Sequence, residues 1–378
     1  MSMTAADRAA LRRYYDGQLR PQEVVAAMSG PGTMFPVKTV RRGDQVRPLP
    51  AREQPFPAIA IRDRDRTFDL YDYLSVNRVG GLLVMKDGKV ALEAYDLGVA
   101  PDTQWWSCSL AKSFASTLVG VALAEGHIAS LDEPVTRYAA VAGPYAEVSI
   151  RQLLRMASGV GWSEEYTNPA SDRRQLLERQ FEWRAGAIVE HMSGRSRAAA
   201  PGSVWNYNTG ESYLVSAVME GATGMNLGDY LSSRIWSRLG MEQDATWWQE
   251  SPGGMVVSGS GMTATLRDYA RFGQFALDGG RIDGTPIVPE GWFAEAGAPY
   301  MAAGKSVPYG YMWWIPVLAD PELEGTFQAE GIFGQFIHVN PRERLVVVVL
   351  SARSKPSMRS RLEIDDDAFF AAVSRALR

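Results

Sequence analysis

The chain has 378 residues, a formal net charge of −4, 46% hydrophobic and 22% charged residues, and one cysteine. That length exceeds one small core, so two lobes are expected, with a single large α/β unit as the alternative. The composition is that of an ordinary folded protein, the acidic balance and lack of a basic run argue against nucleic acid as a partner, and a lone cysteine excludes an internal disulfide.

Met1 to Leu19 is polar and charged, with no apolar stretch, unlike a signal peptide. Residues 1–60 hold three proline-containing patches and no long period, and are expected to form an extended N-terminal arm. Gly81 to Lys86 and Lys89 to Tyr95 read as strands joined by Asp87-Gly88, a hairpin signal. Ser109 to Glu125 has helical spacing and stops at Gly126, the residue type favoured just past a helix end. Ser149 to Gln152 is a capping box opening a short helix that ends near Gly159. Glu211 to Glu220 and Leu227 to Leu239 are further expected helices, and Thr265 opens another. Phe336 to Val339 and Leu345 to Ser351 form a second antiparallel pair around Asn340-Pro341. Ile364 to Leu377 closes the chain as a helix with Asp365 to Asp367 at its N-terminus, where the helix dipole favours acid.

Strands therefore stand near both ends and helices fill the middle. The expected class is α+β: an antiparallel sheet flanked by helices, with a mostly helical lobe inserted. The expected division is an arm over 1–60, a sheet domain from 61–108 and 265–378, and a helical lobe over 109–264. The longest apolar runs, Val119 to Ala124 and Leu345 to Leu350, are too short to cross a bilayer. A cytoplasmic protein with no membrane partner follows as the expectation. Monomer and homodimer both stay open.

Three segments can carry chemistry. In Ser109-Leu110-Ala111-Lys112 the hydroxyl and the amine share one helix face. A serine needs an adjacent base, and lysine becomes one when desolvation disfavours its ammonium form. Phe114, Ala115, Leu118, Val119 and Val121 downstream, and Trp105 and Trp106 upstream, supply apolar surroundings. The bland alternative is a surface lysine with a chance serine. In Pro201 to Gly210, Tyr207 can relay a proton to a leaving group, or simply pack and cap. In Gly331-Ile332-Phe333-Gly334-Gln335 the glycines let the backbone approach a ligand, and a strand-edge N–H can serve an oxyanion; a plain turn is the alternative. Of Trp313 and Trp314, one can face a site, although both can be core.

Other chemistries find little support. The three histidines, His127, His191 and His338, are scattered, and Gly259-Ser260-Gly261 lacks the spacing of a nucleophile elbow. No Cys pair or H-E-x-x-H occurs, so neither a metal nor another cofactor is expected. Cys108, beside Ser109, is read as packing.

Taken in order, the three motifs resemble the serine β-lactamase and penicillin-binding-protein superfamily, in its esterase and 6-aminohexanoate-dimer hydrolase branch. The resemblance spans roughly residues 35 to 375 and includes Ile150 to Gly159, Thr265 to Gly273 and Tyr309 to Trp314. It implies a β-lactamase/transpeptidase-like fold, Ser109 as acylated nucleophile, Lys112 as its base and Tyr207 as proton relay. It implies the backbone N–H groups of Ser109 and Ile332 as oxyanion hole. Tyr166, in Trp162 to Tyr166, is similar to a tyrosine that holds the substrate amide, and Gly331 and Trp314 join it as substrate-binding candidates. Two departures stand out: Thr209 where the second motif usually has Asn, and Ala329 where the third usually begins with Lys or His. The missing Lys or His at Ala329, together with an N-terminus unlike a signal peptide, favours hydrolysis of a small amide or ester over penicillin recognition. An esterase without amidase activity, a cell-wall D,D-peptidase and a catalytically idle binding relative are the alternatives.

Overall fold

Strand pairing in this computed structural model centres on a five-stranded antiparallel sheet, in the order Phe327–Gly331, Gln335–Asn340, Leu345–Ser351, Val79–Lys86, Lys89–Tyr95. Residues 3–30, 34–356 and 362–378 are described; parts of the expected arm (1–2 and 31–33) and of the expected sheet portion (357–361) lie outside them. Strands from the two ends of the chain thus share one sheet. Asp87 and Gly88, at φ 51° and 76°, turn the first hairpin with the two left-handed residues that such a tight turn requires.

Both faces of the sheet are covered, which is why Leu345 to Leu350 is continuously apolar rather than alternating. Leu345, Val347 and Val349 meet Phe336, Phe369 and Phe370 on the side of the C-terminal helix Asp366–Ala376. Val346, Val348 and Leu350 face the larger core. There the helix Leu266–Leu277 lies so close that a Cβ on Gly273 would stand 2.6 Å from Val346. Asp365 caps the C-terminal helix through the Ala368 N–H, as its acidic start predicts.

A second, four-stranded antiparallel sheet runs Val37–Val40, Ala245–Trp248, Met262–Ala264, Trp105–Trp106. Its last strand leads into the 3-10 turn Cys108–Leu110 and the helix Ala111–Ala124, which is buried along almost its whole length. The helix Thr209–Thr223 packs beside it.

Three local expectations need correction. Residues 1–60 are not simply extended: Thr4 caps a helix Ala5–Tyr15, and Pro21 opens a second, Pro21–Ser29. The first helix buries only Leu11, Tyr14 and Tyr15, a stripe too narrow to give a periodic signal. The helix opened by Ser149 ends at Leu154, well before Gly159. Leu227–Leu231 is a helix, but Ser232–Trp236 widens into a π-turn. The Ser233 hydroxyl donates back to the Asp229 carbonyl at 2.9 Å, competing with the regular ladder there.

Candidate active site

Cys108 places the first constraint on the site. It is held at φ 47°, a left-handed conformation that costs a non-glycine residue roughly 1–2 kcal/mol. The strained turn sets Ser109 at the mouth of the helix Ala111–Ala124. Across from it, the end of strand Phe327–Gly331 approaches so tightly that a Cβ on Gly331 would lie 2.6 Å from the Ser107 carbonyl oxygen and 3.1 Å from the Cys108 Cβ. Only glycine permits that contact, and it brings Ile332 to the same small pocket as Ser109. Phe333 and Gly334, at φ 64° and 86°, complete the turn. Arg353 lies directly over Gly334, with its Nε 2.3 Å from where a Cβ would be, and forms a buried two-pronged pair with Asp366 at the start of the C-terminal helix.

Lys112 Nζ donates to Ser109 Oγ at 2.9 Å and to the Gly259 carbonyl at 2.9 Å. The lysine is 1% exposed. Burial pushes its ammonium down to about 7; the Arg173 guanidinium adds to that, while the Glu164 carboxylate opposes it. The amine is thus divided between its neutral and charged forms near neutral pH. Gly259 was set aside at the sequence level, yet its carbonyl orients the amine. A Cβ there would sit 1.9 Å from the Ser212 hydroxyl, so no other residue fits without displacement.

The Tyr207 ring lies 5.2 Å from Lys112 Nζ, which puts the phenol beside the Ser109–Lys112 pair. Burial, reinforced by Glu164, holds this phenol above the ordinary tyrosine range and keeps it protonated. Trp314 tilts against the Tyr207 ring at 5.2 Å, and its neighbour Trp313 is fully buried core. The Tyr166 ring stacks on Tyr15 at 6.2 Å and lines the Ser109 pocket. Ser109, Lys112, Tyr207, Tyr166, Gly331, Ile332 and Trp314 therefore converge on one site.

Thr209 lines the same pocket as Ser109, with its hydroxyl and N–H both donating to Glu164, which also accepts from Trp162 Nε1. Cys108 is buried beside the Tyr14 hydroxyl at 3.2 Å, and burial raises its thiol to about 12, so it is unreactive packing. His338 lies on the far face of the sheet, stacked on Phe370 at 4.4 Å, and none of the three histidines lines the Ser109 pocket. Among the described residues, no group of three or more His, Cys, Asp or Glu is arranged to hold a metal.

Two participants gave no signal in the sequence. Tyr15, on the unexpected first helix, walls the pocket and accepts from Arg173 through its hydroxyl. Arg173 itself sits in a polar helix, Asp172–Gln180, whose sequence reads as solvent-facing, yet it is 2% exposed.

Comparison with known proteins identifies relatives of the whole chain. A 6-aminohexanoate-dimer hydrolase of Paenarthrobacter ureafaciens is 28% identical over 345 residues, covering 87% of this chain and 85% of that one. A Bacillus anthracis protein solved as a candidate 6-aminohexanoate-dimer hydrolase superposes with a TM-score of 0.77 at 24% identity, covering 93% of this chain and 91% of its own. A family VIII carboxylesterase superposes with a TM-score of 0.61 at 17% identity, covering 81% and 95%. The model of the family described as Beta-lactamase matches residues 72–371. With that match over most of its length, and the β-lactamase-like fold it shares with these neighbours, the chain belongs to the Beta-lactamase family, as a serine hydrolase of that family.

Proposed function

We propose that this protein cleaves small linear amides or carboxylic esters through an acyl-enzyme on Ser109. The observation that carries the reading is the 2.9 Å bond between Ser109 Oγ and a buried Lys112 amine lowered to about 7. Ser109 Oγ attacks the substrate carbonyl while its proton passes to neutral Lys112. The oxyanion rests on the N–H groups of Ser109 and Ile332, an effect typically worth about 3 kcal/mol per donor. Collapse expels the amine or alcohol, which takes a proton through Tyr207, and leaves an ester on Ser109. Water then repeats the sequence, releasing the acid and restoring the serine.

The hydrolase of Paenarthrobacter ureafaciens gives the amide half of this proposal its support, and Trp314 and Tyr166 supply an aromatic setting for a linear substrate. Replacement of the third motif's usual cation by Ala329 argues against β-lactams. No cofactor enters the scheme.

The test is Ser109→Ala assayed on p-nitrophenyl esters and linear amides, beside labelling of the native protein with a fluorophosphonate. We expect a loss of roughly 10³-fold or more, with circular dichroism preserved and the label confined to Ser109. Hydrolysis by the variant at the native rate, or no label on the native protein, would remove the basis of the reading.

A further inference from the structure

Gln335 ends the glycine-rich turn that carries Ile332 and opens the strand Gln335–Asn340, fully buried. Its side-chain amide makes all four hydrogen bonds open to such a group. The oxygen accepts from the Trp105 indole N–H at 2.8 Å and from the Ser351 backbone N–H at 3.2 Å. The nitrogen donates to the Ser351 carbonyl at 2.8 Å and to the Ile332 carbonyl at 3.3 Å. An indole N–H only donates and a carbonyl only accepts, so a single orientation of the amide satisfies the set.

These bonds reach separate parts of the chain. Trp105 begins the segment that runs through Cys108 into Ser109. Ile332 belongs to the facing lip, and Ser351 ends the strand Leu345–Ser351 in the middle of the five-stranded sheet. Among the described residues, no other hydrogen bond joins the segment 105–109 to the turn 331–335. The close approach of Gly331 to Ser107 and Cys108 stops the two lips from closing further, but packing alone does not fix how they slide past each other. Two oxyanion donors act together only when both stand about 2.7–3.1 Å from one oxygen. Here one donor comes from each lip, so their spacing depends on what ties the lips together.

We infer that Gln335 is a positioning residue that sets the spacing between the Ser109 and Ile332 backbone N–H groups, by holding Trp105 behind one lip and the Ile332 carbonyl in the other. The inference rests on the acyl-enzyme reading above and adds to it the group that keeps the oxyanion site in register. Packing at the start of this strand asks only for an apolar side chain of similar size, whereas joining the lips needs an amide. Fully buried, Gln335 acts through Trp105 and Ile332 and not on the substrate.

The experiment compares p-nitrophenyl acetate with its thionoester, in which sulfur replaces the carbonyl oxygen and accepts hydrogen bonds poorly. Each kcat/KM is divided by the rate of hydroxide-catalysed hydrolysis of the same ester, so that the ratio of the two reads the oxyanion site. The native protein is expected to prefer the oxygen ester by roughly 10²-fold, the scale of one oxyanion donor. Gln335→Met, which keeps the volume and drops the amide, should cut that preference about tenfold while the thionoester rate stays within about twofold of native. Trp105→Phe, which removes the indole N–H and leaves Gln335 in place, should cut it partway. A role in folding alone would slow both esters alike, so a native preference retained in either variant overturns the inference; Trp105→Phe decides by itself if Gln335→Met does not fold. Absence of the preference in the native protein would remove the oxyanion site that Gln335 is held to position, and the inference with it. Absence of any Ser109-dependent hydrolysis would instead sink the acyl-enzyme reading, so the failures are distinct.

Discussion

Lys112 decides the pH response. Only its neutral form can accept the Ser109 proton, and burial lowers its ammonium to about 7. Activity is therefore lost as pH falls through about 7 and reaches a plateau above it. A kcat/KM profile on a p-nitrophenyl ester checks this; an acid limb in the ordinary lysine range, about 10.4, would falsify the assignment. Tyr207 makes a separable prediction. Amines leave poorly without a proton and p-nitrophenolate leaves readily, so Tyr207→Phe should cost roughly 10²-fold or more on an amide and far less on the matched ester. Equal losses on both would count against tyrosine as the leaving-group acid. At this scale the sequence was informative where chemistry is local: Ser109 and Lys112 are one turn apart, and the Tyr207 and Ile332 segments carry glycines and turns of their own. Arg173, Glu164 and Gly259 were illegible, because their roles come from partners brought close only by folding.

The helix Ala5–Tyr15 shows why a polar segment can be misjudged. Its three buried residues are enough to seat it on the site: Tyr14 packs on Trp106 at 4.9 Å and on Phe333 at 4.3 Å, and Tyr15 walls the pocket. Propensity and periodicity register the exposed majority of such a helix, whereas docking depends on the few residues that touch. The capped helices beginning at Ser149, Thr265 and Asp365 were legible because each carries its start signal in the sequence. Removing the Tyr14 side chain should cost roughly 3–5 kcal/mol of stability, the usual scale for a buried aromatic. It should also uncover Cys108. Native Cys108 is expected to resist alkylation, and Tyr14→Ala to be alkylated many times faster while still folded; equal rates would mean that the helix does not shield the thiol.

Over the whole molecule, two apolar clusters lie on opposite faces of the five-stranded sheet and share its strands. Neither can lose its packing without disturbing strands the other needs. Unfolding by urea should therefore be one transition, with tryptophan fluorescence and far-UV circular dichroism superimposing. A fluorescence change that precedes the loss of secondary structure would show that the two faces come apart independently. The antiparallel sheet was legible from its hairpins, since Asp87-Gly88 and Asn340-Pro341 are local. Which face met which helix was not, since both faces are apolar.

The grip of Arg353 on both Gly334 and Asp366 has a bearing on biosynthesis. No fragment ending before Asp366 holds both halves of that clamp, and the turn presenting Ile332 contains Gly334, one of the two groups Arg353 touches. A chain still emerging from the ribosome would already possess its serine and lysine while the opposite lip of the cleft stayed slack. Removal of the helix Asp366–Ala376 is therefore expected to loosen the lip that carries Ile332 while leaving Ser109 and Lys112 in the chain.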